Sequence, residues 1–216
     1  MLPQEMLYQE SQLSHWIETE KKQRAKDEQF INIITPYLNQ GTVLELGGGC
    51  GQLSEILTNK GFDVTASDYA PFFVEYMKSR GLSAFVVDAM NIQESIDNKF
   101  DNIISQGASP LVSPDLSITR KTYNSISKAL RKGGRFLAIM ATGYPEKILK
   151  TAHKFNTIGD HLQIVKEFDL KIITLFRHQI LPSTYYEKFN KPLLSLIESS
   201  LGKYLGIRYI LVVEKL

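Results

Sequence analysis

Short apolar runs alternate with helical segments from Thr42 to Met140, and no other feature of the sequence restricts the fold as strongly. Two parallel strands need a crossover of a dozen or more residues between them, usually a helix. Strict alternation of strand and helix therefore predicts βαβ units in a parallel sheet. The predicted strands of this part are Thr42–Leu46, Asp63–Ala66, Ala84–Val87, Asp101–Ser105 and Arg135–Met140.

The segments on either side of this alternation have other patterns. Before it, the charge-rich residues 2–29 are predicted to form a helix. An i, i+3, i+4 spacing of apolar residues from Phe30 to Leu38 predicts a second helix, which Pro36 kinks or ends. After the alternation, the sequence predicts two more strands and one more helix. These elements are Leu170–Ile180, Arg208–Leu216 and Tyr185–Leu201; the clearest helix within the alternation is Asp115–Leu130, and the stop signal Gly133 and Gly134 follows it.

Length and composition fit one globular domain. The chain has 216 residues, of which 43% are hydrophobic and 22% charged, as is typical of soluble proteins. We predict that residues 1–40 form a helical extension or lid and that residues 41–216 form the main domain. No signal peptide or membrane-spanning window is visible, which favours a cytoplasmic protein. The net charge of +2 does not suggest nucleic acid, and the single cysteine, Cys50, excludes an internal disulfide and a cysteine-based zinc site.

Four glycines fall within five positions where the first predicted strand meets a helix, in the stretch VLELGGGCGQLSEIL. Such a turn places backbone N–H groups and the positive end of the helix dipole at one point, where a ligand can approach closely. Dinucleotide-binding folds use the pattern G-x-G-x-x-G there. In this chain neither register supplies the third glycine, because Gln52 and Ser54 stand at the two positions where it would fall.

An acidic residue, Glu45, stands two positions before these glycines and gives the pattern E-x-G-x-G-x-G through Gly47, Gly49 and Gly51. A carboxylate beside a pyrophosphate would repel it. S-adenosylmethionine has no phosphate and carries an ammonium group, which an acidic turn can hold directly or through water. The glycine stretch therefore favours this sulfonium nucleoside over a dinucleotide.

Two further acidic residues follow the second and third predicted strands. Asp68 can accept both ribose hydroxyls of a nucleoside, and Asp88 can receive an adenine amino group while Met90 or Ile92 covers the ring. We expect both to face one crevice with Glu45, because open α/β sheets bind ligands at the carboxyl ends of their strands. As alternatives, Asp68 is also a favoured N-cap for the helix that follows it, and the other two acids could be surface residues.

With these motifs the sequence resembles the class I S-adenosylmethionine-dependent methyltransferases of the small-molecule type, similar to the type 11 and type 25 methyltransferase domains. The closing segment RYILVVEKL is similar to the seventh strand of that family. The resemblance implies an α/β fold with a Rossmann-like, mostly parallel sheet of seven strands in the order 3-2-1-4-5-7-6, the last one antiparallel, and helices on both faces. It is carried by Val43–Gly51, Asp68, Asp88, the segment FDNIISQGAS, and Gly133 with Gly134.

The resemblance also implies S-adenosyl-L-methionine as the cofactor. Ser105 and Gln106 stand where the methyl group would pass, so we expect them to contact the cofactor or the acceptor. No catalytic residue is assigned, because methyl transfer from a sulfonium depends mainly on alignment. The expected cofactor-binding residues are Glu45, Gly47, Gly48, Gly49, Gly51, Asp68, Tyr69, Asp88, Ala89, Ser105 and Gln106.

Motifs of other methyltransferase subclasses are missing from the sequence. The segment SQGASP stands where amino-methylating nucleic-acid enzymes have an Asn/Asp-Pro-Pro-aromatic motif, and no carboxylate before Asp115 could hold a metal after the fourth strand. A metal-free, small-molecule acceptor is the expectation, and nucleic acid is disfavoured. Acceptor contacts are expected outside the sheet; the candidates, each of which could instead be a packing or solvated residue, are Tyr8, His15, Trp16, Tyr144, His153, His161, Tyr185 and Tyr186.

Two alternatives from other functional classes stay open at this point. The chain could be a methyltransferase-like module that binds a nucleoside or a protein without catalysis, since fold does not fix function. It could also be a nicotinamide-dependent oxidoreductase, against which the missing third glycine argues. The sequence leaves the oligomeric state undecided between monomer and homodimer.

Overall fold

The computed structural model describes residues 12–97, 99–141, 156–179, 191–201, 206 and 208–216. Within them, one sheet has the strand order β3-β2-β1-β4-β5-β7-β6. Strand β7 pairs antiparallel with both of its neighbours, whereas the pairs from β3 to β5 are parallel. The predicted seven-stranded order and the antiparallel last strand are confirmed. The strands are β1 Thr42–Leu46, β2 Asp63–Asp68, β3 Ala84–Val86, β4 Phe100–Gln106, β5 Leu130–Ala141, β6 Leu170–His178 and β7 Arg208–Lys215.

Helices connect the strands, and short 3-10 turns follow the first helix and β4. None of the helices in the described ranges combines the length and the apolar character that crossing a membrane requires. The helices are α1 Leu13–Ile34, α2 Gln52–Asn59, α3 Pro71–Ser79, α4 Ile92–Ser95, α5 Leu116–Ala129, α6 Ile158–Val165 and α7 Lys191–Ser200, and the 3-10 turns are Thr35–Tyr37 and Ser109–Leu111.

The prediction of two N-terminal helices is wrong for the described residues. Helix α1 runs without interruption past Phe30 to Ile34, because no residue near that point breaks a helix. The chain then tightens into the 3-10 turn that contains Pro36, as a proline so close to a helix end favours. The beginning of the predicted first helix, residues 2–11, lies outside the described residues.

Helices cover both faces of the sheet, and the faces alternate along each strand. Leu44 and Phe136 belong to one buried cluster, which α5 and α6 complete. Their neighbours Val43 and Leu137 belong to the opposite cluster, which α1 and α2 complete. Successive side chains of a strand point to opposite faces, so these continuous apolar strands are what a sheet buried on both sides requires.

Strand β5 begins earlier than its sequence pattern predicts. Leu130, directly after α5, pairs with Phe100 before the register shifts and Arg135 pairs with Asn102. Gly133 adopts a φ of +74° in the segment between them. A Cβ on Gly134 would lie 2.8 Å from the carbonyl oxygen of Arg131, so the predicted glycine pair allows the tight turn into the strand.

Candidate functional site

A cavity of about 970 Å³ opens at the carboxyl ends of the parallel strands. Its floor is formed by the turns after β1, β2 and β3, and the inner face of α1 forms one wall. This volume lies at the upper end of the range that small-molecule sites occupy in proteins. The crevice lies where the sequence analysis expects a ligand of an open α/β sheet. Of the expected cofactor residues, those that line the cavity are Glu45, Gly47, Gly48, Gly49, Asp68, Tyr69, Asp88, Ala89 and Gln106.

The glycine loop after β1 is held in a conformation that only glycine adopts easily. Gly47 and Gly49 have φ values of +71° and +55°. A Cβ on Gly47 would lie 3.0 Å from the Cβ of Ala108, which belongs to the loop after β4. Gly48 donates its backbone N–H to the carbonyl of Ser67 at 2.8 Å. The loop backbone therefore forms part of the cavity floor with no side chain covering it.

Gly51 has a different task and does not line the cavity. It precedes α2 with a φ of +85°, and a Cβ there would lie 2.7 Å from Leu82 Cδ1 and 2.8 Å from Met77 Cγ. Glycine at this position lets α2 pack closely against the end of α3. In dinucleotide-binding loops the third glycine serves close packing of this helix, so Gly51 fills a comparable role at another spacing.

Asp68, at the end of β2, is partly buried and joins two turns. Its Oδ2 accepts the backbone N–H of Gly49 at 3.0 Å, and its Oδ1 accepts that of Ala70 at 2.9 Å. Ala70 is the N-cap of α3, so Asp68 fixes the entry to that helix as well as the glycine loop. Burial raises the pKa of Asp68, while the backbone N–H groups of Ala70, Gly49 and Tyr69 act in the opposite direction.

Glu45 is buried beneath the glycine loop. Its Oε2 accepts the backbone N–H of Ser54 at 3.0 Å and also accepts the Ser54 hydroxyl. A Cβ on Gly48 would lie 3.2 Å from the carboxylate carbon, so a glycine there leaves room for this acid. Burial raises the pKa of Glu45 to about 8. The acid therefore helps to hold the start of α2 while it lines the cavity.

Asp88 lies at the far end of the cavity, beyond β3. Its carboxylate accepts the backbone N–H of Met90 at 2.9 Å and the side-chain amide of Asn91 at 3.2 Å. Ala89 beside it and Tyr69 after β2 line the same end of the cavity. Val86 lines the cavity too, so apolar side chains and a carboxylate both line it after β2 and β3.

Ser105 and Gln106 are adjacent at the end of β4, but only one of them lines the cavity. Ser105 is fully buried and does not line the cavity, and its hydroxyl donates to the carbonyl of Leu46 at 3.0 Å. Gln106 does line it. With its side-chain oxygen turned toward the nearby cations, Gln106 accepts from Arg208 Nη1 at 3.1 Å and from Lys26 Nζ at 3.3 Å.

The model of the methyltransferase domain family matches residues 39–191, which is most of the chain. The chain belongs to the methyltransferase domain family. No curated protein resembles this methyltransferase closely enough in sequence to count as a match.

Solved structures of S-adenosylmethionine-dependent methyltransferases share the fold. One from Clostridium acetobutylicum has a TM-score of 0.63 at 16% identity, over 88% of this chain and 90% of its own. One from Thermotoga maritima, described as a possible histamine N-methyltransferase, has a TM-score of 0.68 at 12% identity, over 96% and 98%. A glycopeptide N-methyltransferase complexed with S-adenosyl-L-homocysteine has a TM-score of 0.64 at 14% identity, over 88% and 86%.

The sequence analysis did not predict most of the α1 residues that form one wall of the cavity in this methyltransferase. Of the lid candidates, Trp16 lines the cavity, His15 is exposed, and Tyr8 lies outside the described residues. The signal was present as a helical spacing of polar residues along one face. The described cavity residues of α1 are Trp16, Thr19, Glu20, Gln23 and Asp27.

Two acids on this wall contact the start of α2. Glu20 Oε1 accepts the backbone N–H of Cys50 at 2.7 Å, and Asp27 Oδ2 accepts the side-chain amide of Gln52 at 2.6 Å. Burial raises the pKa of Glu20 to about 7. Burial also raises the pKa of the Cys50 thiol, to about 12, so the thiol stays protonated and unreactive.

Neither His15 nor His161, the two histidine candidates among the described residues, lines the cavity. His161 is buried behind the loop after β4, where its Nδ1 bonds the hydroxyl of Tyr123 at 2.9 Å and its Nε2 bonds Asn156 Oδ1 at 3.1 Å. Among the described residues, no group of three or more histidine, cysteine or acidic side chains is arranged to hold a metal ion. The candidates Tyr144, His153, Tyr185 and Tyr186 lie outside the described residues.

Proposed function

We propose that this methyltransferase binds S-adenosyl-L-methionine in the cavity and transfers the methyl group to a small-molecule acceptor without a metal. The observation that carries the proposal is the placement of Glu45, Asp68 and Asp88. They lie within two residues of the ends of three neighbouring strands and line one cavity. This spacing of acids suits an ammonium, a ribose and an adenine amino group along one extended ligand.

The described residues fit such a ligand. Asp68 uses one acceptor position on each oxygen for Gly49 and Ala70, and a carboxylate has about four, so it can still accept ribose hydroxyls. Asp88 would receive the adenine amino group, with Ala89 and Tyr69 beside the ring. The bare backbone of the glycine loop would hold the amino-acid end near the start of α2.

When bound, S-adenosylmethionine supplies a methyl carbon on a positively charged sulfur. The protein holds the acceptor in line with that carbon and keeps water out. We expect Gln106 to face the reacting end, because it lines the cavity at the end of β4. Ser105, which is buried behind it, would position this strand end through Leu46. Within this proposal, residues 1–40 act as a lid extension and residues 41–216 as the catalytic domain.

A small-molecule acceptor is supported by the shape of the site. The cavity is enclosed on one side by α1 and has room for a nucleoside with a compact second ligand. Two solved structures of the same fold are described as a possible histamine N-methyltransferase and a glycopeptide N-methyltransferase. Neither acts on nucleic acid by its description, in line with the acceptor class proposed for this chain.

Thermal unfolding with S-adenosylmethionine, S-adenosylhomocysteine and NAD tests the cofactor. A ligand at about 100 times its Kd adds roughly 2.7 kcal/mol, which raises the midpoint of a chain of this size by about 5–10 °C. We expect this rise with the first two ligands only, its loss in Asp68→Ala, and its retention in the exposed control Asp63→Ala. A rise with NAD alone, or with none of the three, contradicts the proposal.

A further inference from the structure

A positively charged side chain lines the cavity on the side away from the strand-end acids. Arg208 is the first residue of β7, which runs antiparallel to β5 and therefore begins at the edge where the parallel strands end. It pairs with Ala141 of β5, is half-buried and lines the cavity. Arg208 is the one cationic side chain among the lining residues that the structure describes. A ligand on this side of the cavity therefore meets a guanidinium group.

The order of the strands separates Arg208 from the proposed cofactor residues. Along the edge of the sheet the order is β3, β2, β1, β4, β5 and β7. The cofactor proposed above extends over the ends of β1, β2 and β3, which we call the cofactor half of the cavity. Gln106, Ile139 and Arg208 line the cavity from β4, β5 and β7, and we call this part the acceptor half. Neighbouring strands are about 4.8 Å apart, so β7 lies roughly 14 Å from β1, beyond the cofactor.

The described carboxylates that line the cavity all contact its cofactor half. Besides the three strand-end acids, these are the two acids on the α1 wall. Glu20 accepts the backbone N–H of Cys50 at 2.7 Å, in the turn after β1. Asp27 accepts the side-chain amide of Gln52 at 2.6 Å, at the start of α2, and forms an ion pair with the buried Lys26 at 3.0 Å. Negative charge is therefore concentrated in the cofactor half, whereas the guanidinium group lies in the acceptor half.

Gln106 links Arg208 to the point where the methyl group would pass. Its side-chain oxygen, turned toward the cations, accepts from Arg208 Nη1 at 3.1 Å and from Lys26 Nζ at 3.3 Å. A guanidinium group has five N–H donors in a planar fork, so Arg208 can hold Gln106 and a ligand oxygen at the same time. The side chain is thus fixed at the boundary between the reacting end and the acceptor half.

We propose that the methyl acceptor carries a carboxylate group and that Arg208 binds this group, which holds the nucleophilic atom of the acceptor beside Gln106. This assignment rests on the proposed function. A carboxylate has two oxygens and one charge, which suit a bidentate pair with one guanidinium group. A phosphate monoester has about two negative charges, so the five carboxylates of the same cavity would repel it more strongly. Arg208 binds and orients the acceptor and takes no part in making or breaking bonds.

Carboxylate binding to the full chain saturated with S-adenosylhomocysteine tests the proposal. The probes are phenylacetate, 4-hydroxybenzoate, cyclohexanecarboxylate and butyrate, each paired with the amide of the same skeleton and measured by calorimetry, and phenyl phosphate is added as a dianion. We expect at least one carboxylate to bind about tenfold or more tightly than its amide, because a charge-assisted pair replaces a neutral contact. Added salt should weaken that carboxylate and leave its amide unchanged, since the half-buried guanidinium group is partly screened.

Three variants connect the preference to Arg208. Arg208→Gln should lower the affinity of the carboxylate to that of its amide and leave the affinity for S-adenosylhomocysteine unchanged. Arg208→Lys keeps the charge without the planar fork, so it should retain part of the preference. The control Lys171→Gln removes the same charge from an exposed position of β6 outside the cavity and should bind every probe like wild type. If Arg208→Gln does not fold, the wild-type comparison and Arg208→Lys decide between the outcomes.

Four results overturn the inference. No carboxylate in the set binds more tightly than its amide; phenyl phosphate binds more tightly than every carboxylate; the Arg208 variants keep the full wild-type preference; or they fold normally but weaken S-adenosylhomocysteine, which would place the cofactor's own carboxylate at Arg208. Failure of the wild-type chain to bind S-adenosylhomocysteine, measured before any probe is added, overturns the proposed function together with this inference. Normal binding of that nucleoside without a preference for carboxylates overturns the inference alone.

Discussion

The carboxylate of Asp68 accepts the backbone N–H of Gly49 at 3.0 Å, across 19 residues of sequence. The acid proposed to bind the ribose is therefore also the residue that anchors the glycine loop. Its second oxygen anchors the entry to α3 through Ala70. A change at Asp68 should consequently affect both ligand binding and the stability of the free protein.

Replacing Asp68 by alanine should lower the free energy of unfolding of the ligand-free protein by about 1–3 kcal/mol, because two partly buried amides lose their acceptor. It should also abolish measurable binding of S-adenosylhomocysteine. Urea unfolding and calorimetry give the two quantities. The free energy of unfolding of Asp68→Asn, which keeps one acceptor, should fall between those of Asp68→Ala and wild type. That of Asp63→Ala should match wild type. Full stability in Asp68→Ala would contradict the anchoring role.

Gly51 and Gly81 offer a matched pair for the packing of α2. Both have a positive φ, +85° and +80°, but a Cβ on Gly51 would overlap Met77 and Leu82 whereas the space around Gly81 is open. Gly81→Ala should cost about 1–2 kcal/mol from backbone strain alone. Gly51→Ala should cost about 1–3 kcal/mol more, because overpacking adds to the strain. Equal urea midpoints for the two variants would show that the close approach at Gly51 has no energetic weight.

The buried acid Glu45 should make the free protein less stable as the pH rises. Its pKa is about 8 in the folded protein and near 4.5 when unfolded, so the folded state binds more protons between these values. Stability present at low pH is therefore lost from pH 4.5 to 8. Glu45→Gln should flatten this fall in the free energy of unfolding measured by urea at pH 6, 7 and 8. The exposed control Glu75→Gln should keep the wild-type slope of the free energy of unfolding against pH. An unchanged slope in Glu45→Gln would show that Glu45 does not cause the fall.

The buried His161 should make the free protein less stable as the pH falls, the opposite of the effect of Glu45. Burial holds its pKa at about 4, below the ordinary 6.5, so the unfolded state takes up the proton first as the pH falls. Stability is then lost from pH 6.5 to 4, by up to about 3 kcal/mol at the acid end. His161→Gln should remove this loss in acid urea titrations, while the exposed control His15→Gln keeps it. A steep acid loss that persists in His161→Gln would assign it to other groups.

The sequence was sufficient for the sheet because its signals are local. Each strand from β1 to β4 is a short apolar run between helical segments, and this periodicity identified the strands to within a few residues. It missed the early start of β5, because Leu130 joins the sheet by pairing with Phe100 and its own pattern continues the helix. The sequence also has two separate apolar patterns, one before Phe30 and one after it, so it predicted two helices there. No helix-breaking residue separates them, and α1 runs through Phe30 without interruption.

The acids at the strand ends could be predicted for the same reason. Glu45, Asp68 and Asp88 lie at or within two residues of the ends of their strands. Parallel strands end at one edge of the sheet, so the convergence of these acids on one cavity follows from chain order. Their assigned contacts with a cofactor stay predictions. Which neighbour faces the cavity could not be read from the sequence: Ser105 and Gln106 both end β4, but only Gln106 lines it.

The sequence by itself determined the α/β class, the glycine loop and the three strand-end acids, because periodicity and turn chemistry act over a few residues. Only the tertiary structure decided that Glu20 and Asp27 form the opposite wall. Their place depends on how α1 packs against α2, where Phe30 and Ile31 are buried with Leu57. Contacts between residues about 30 positions apart are set by the summed burial of such apolar faces, and no local pattern encodes them.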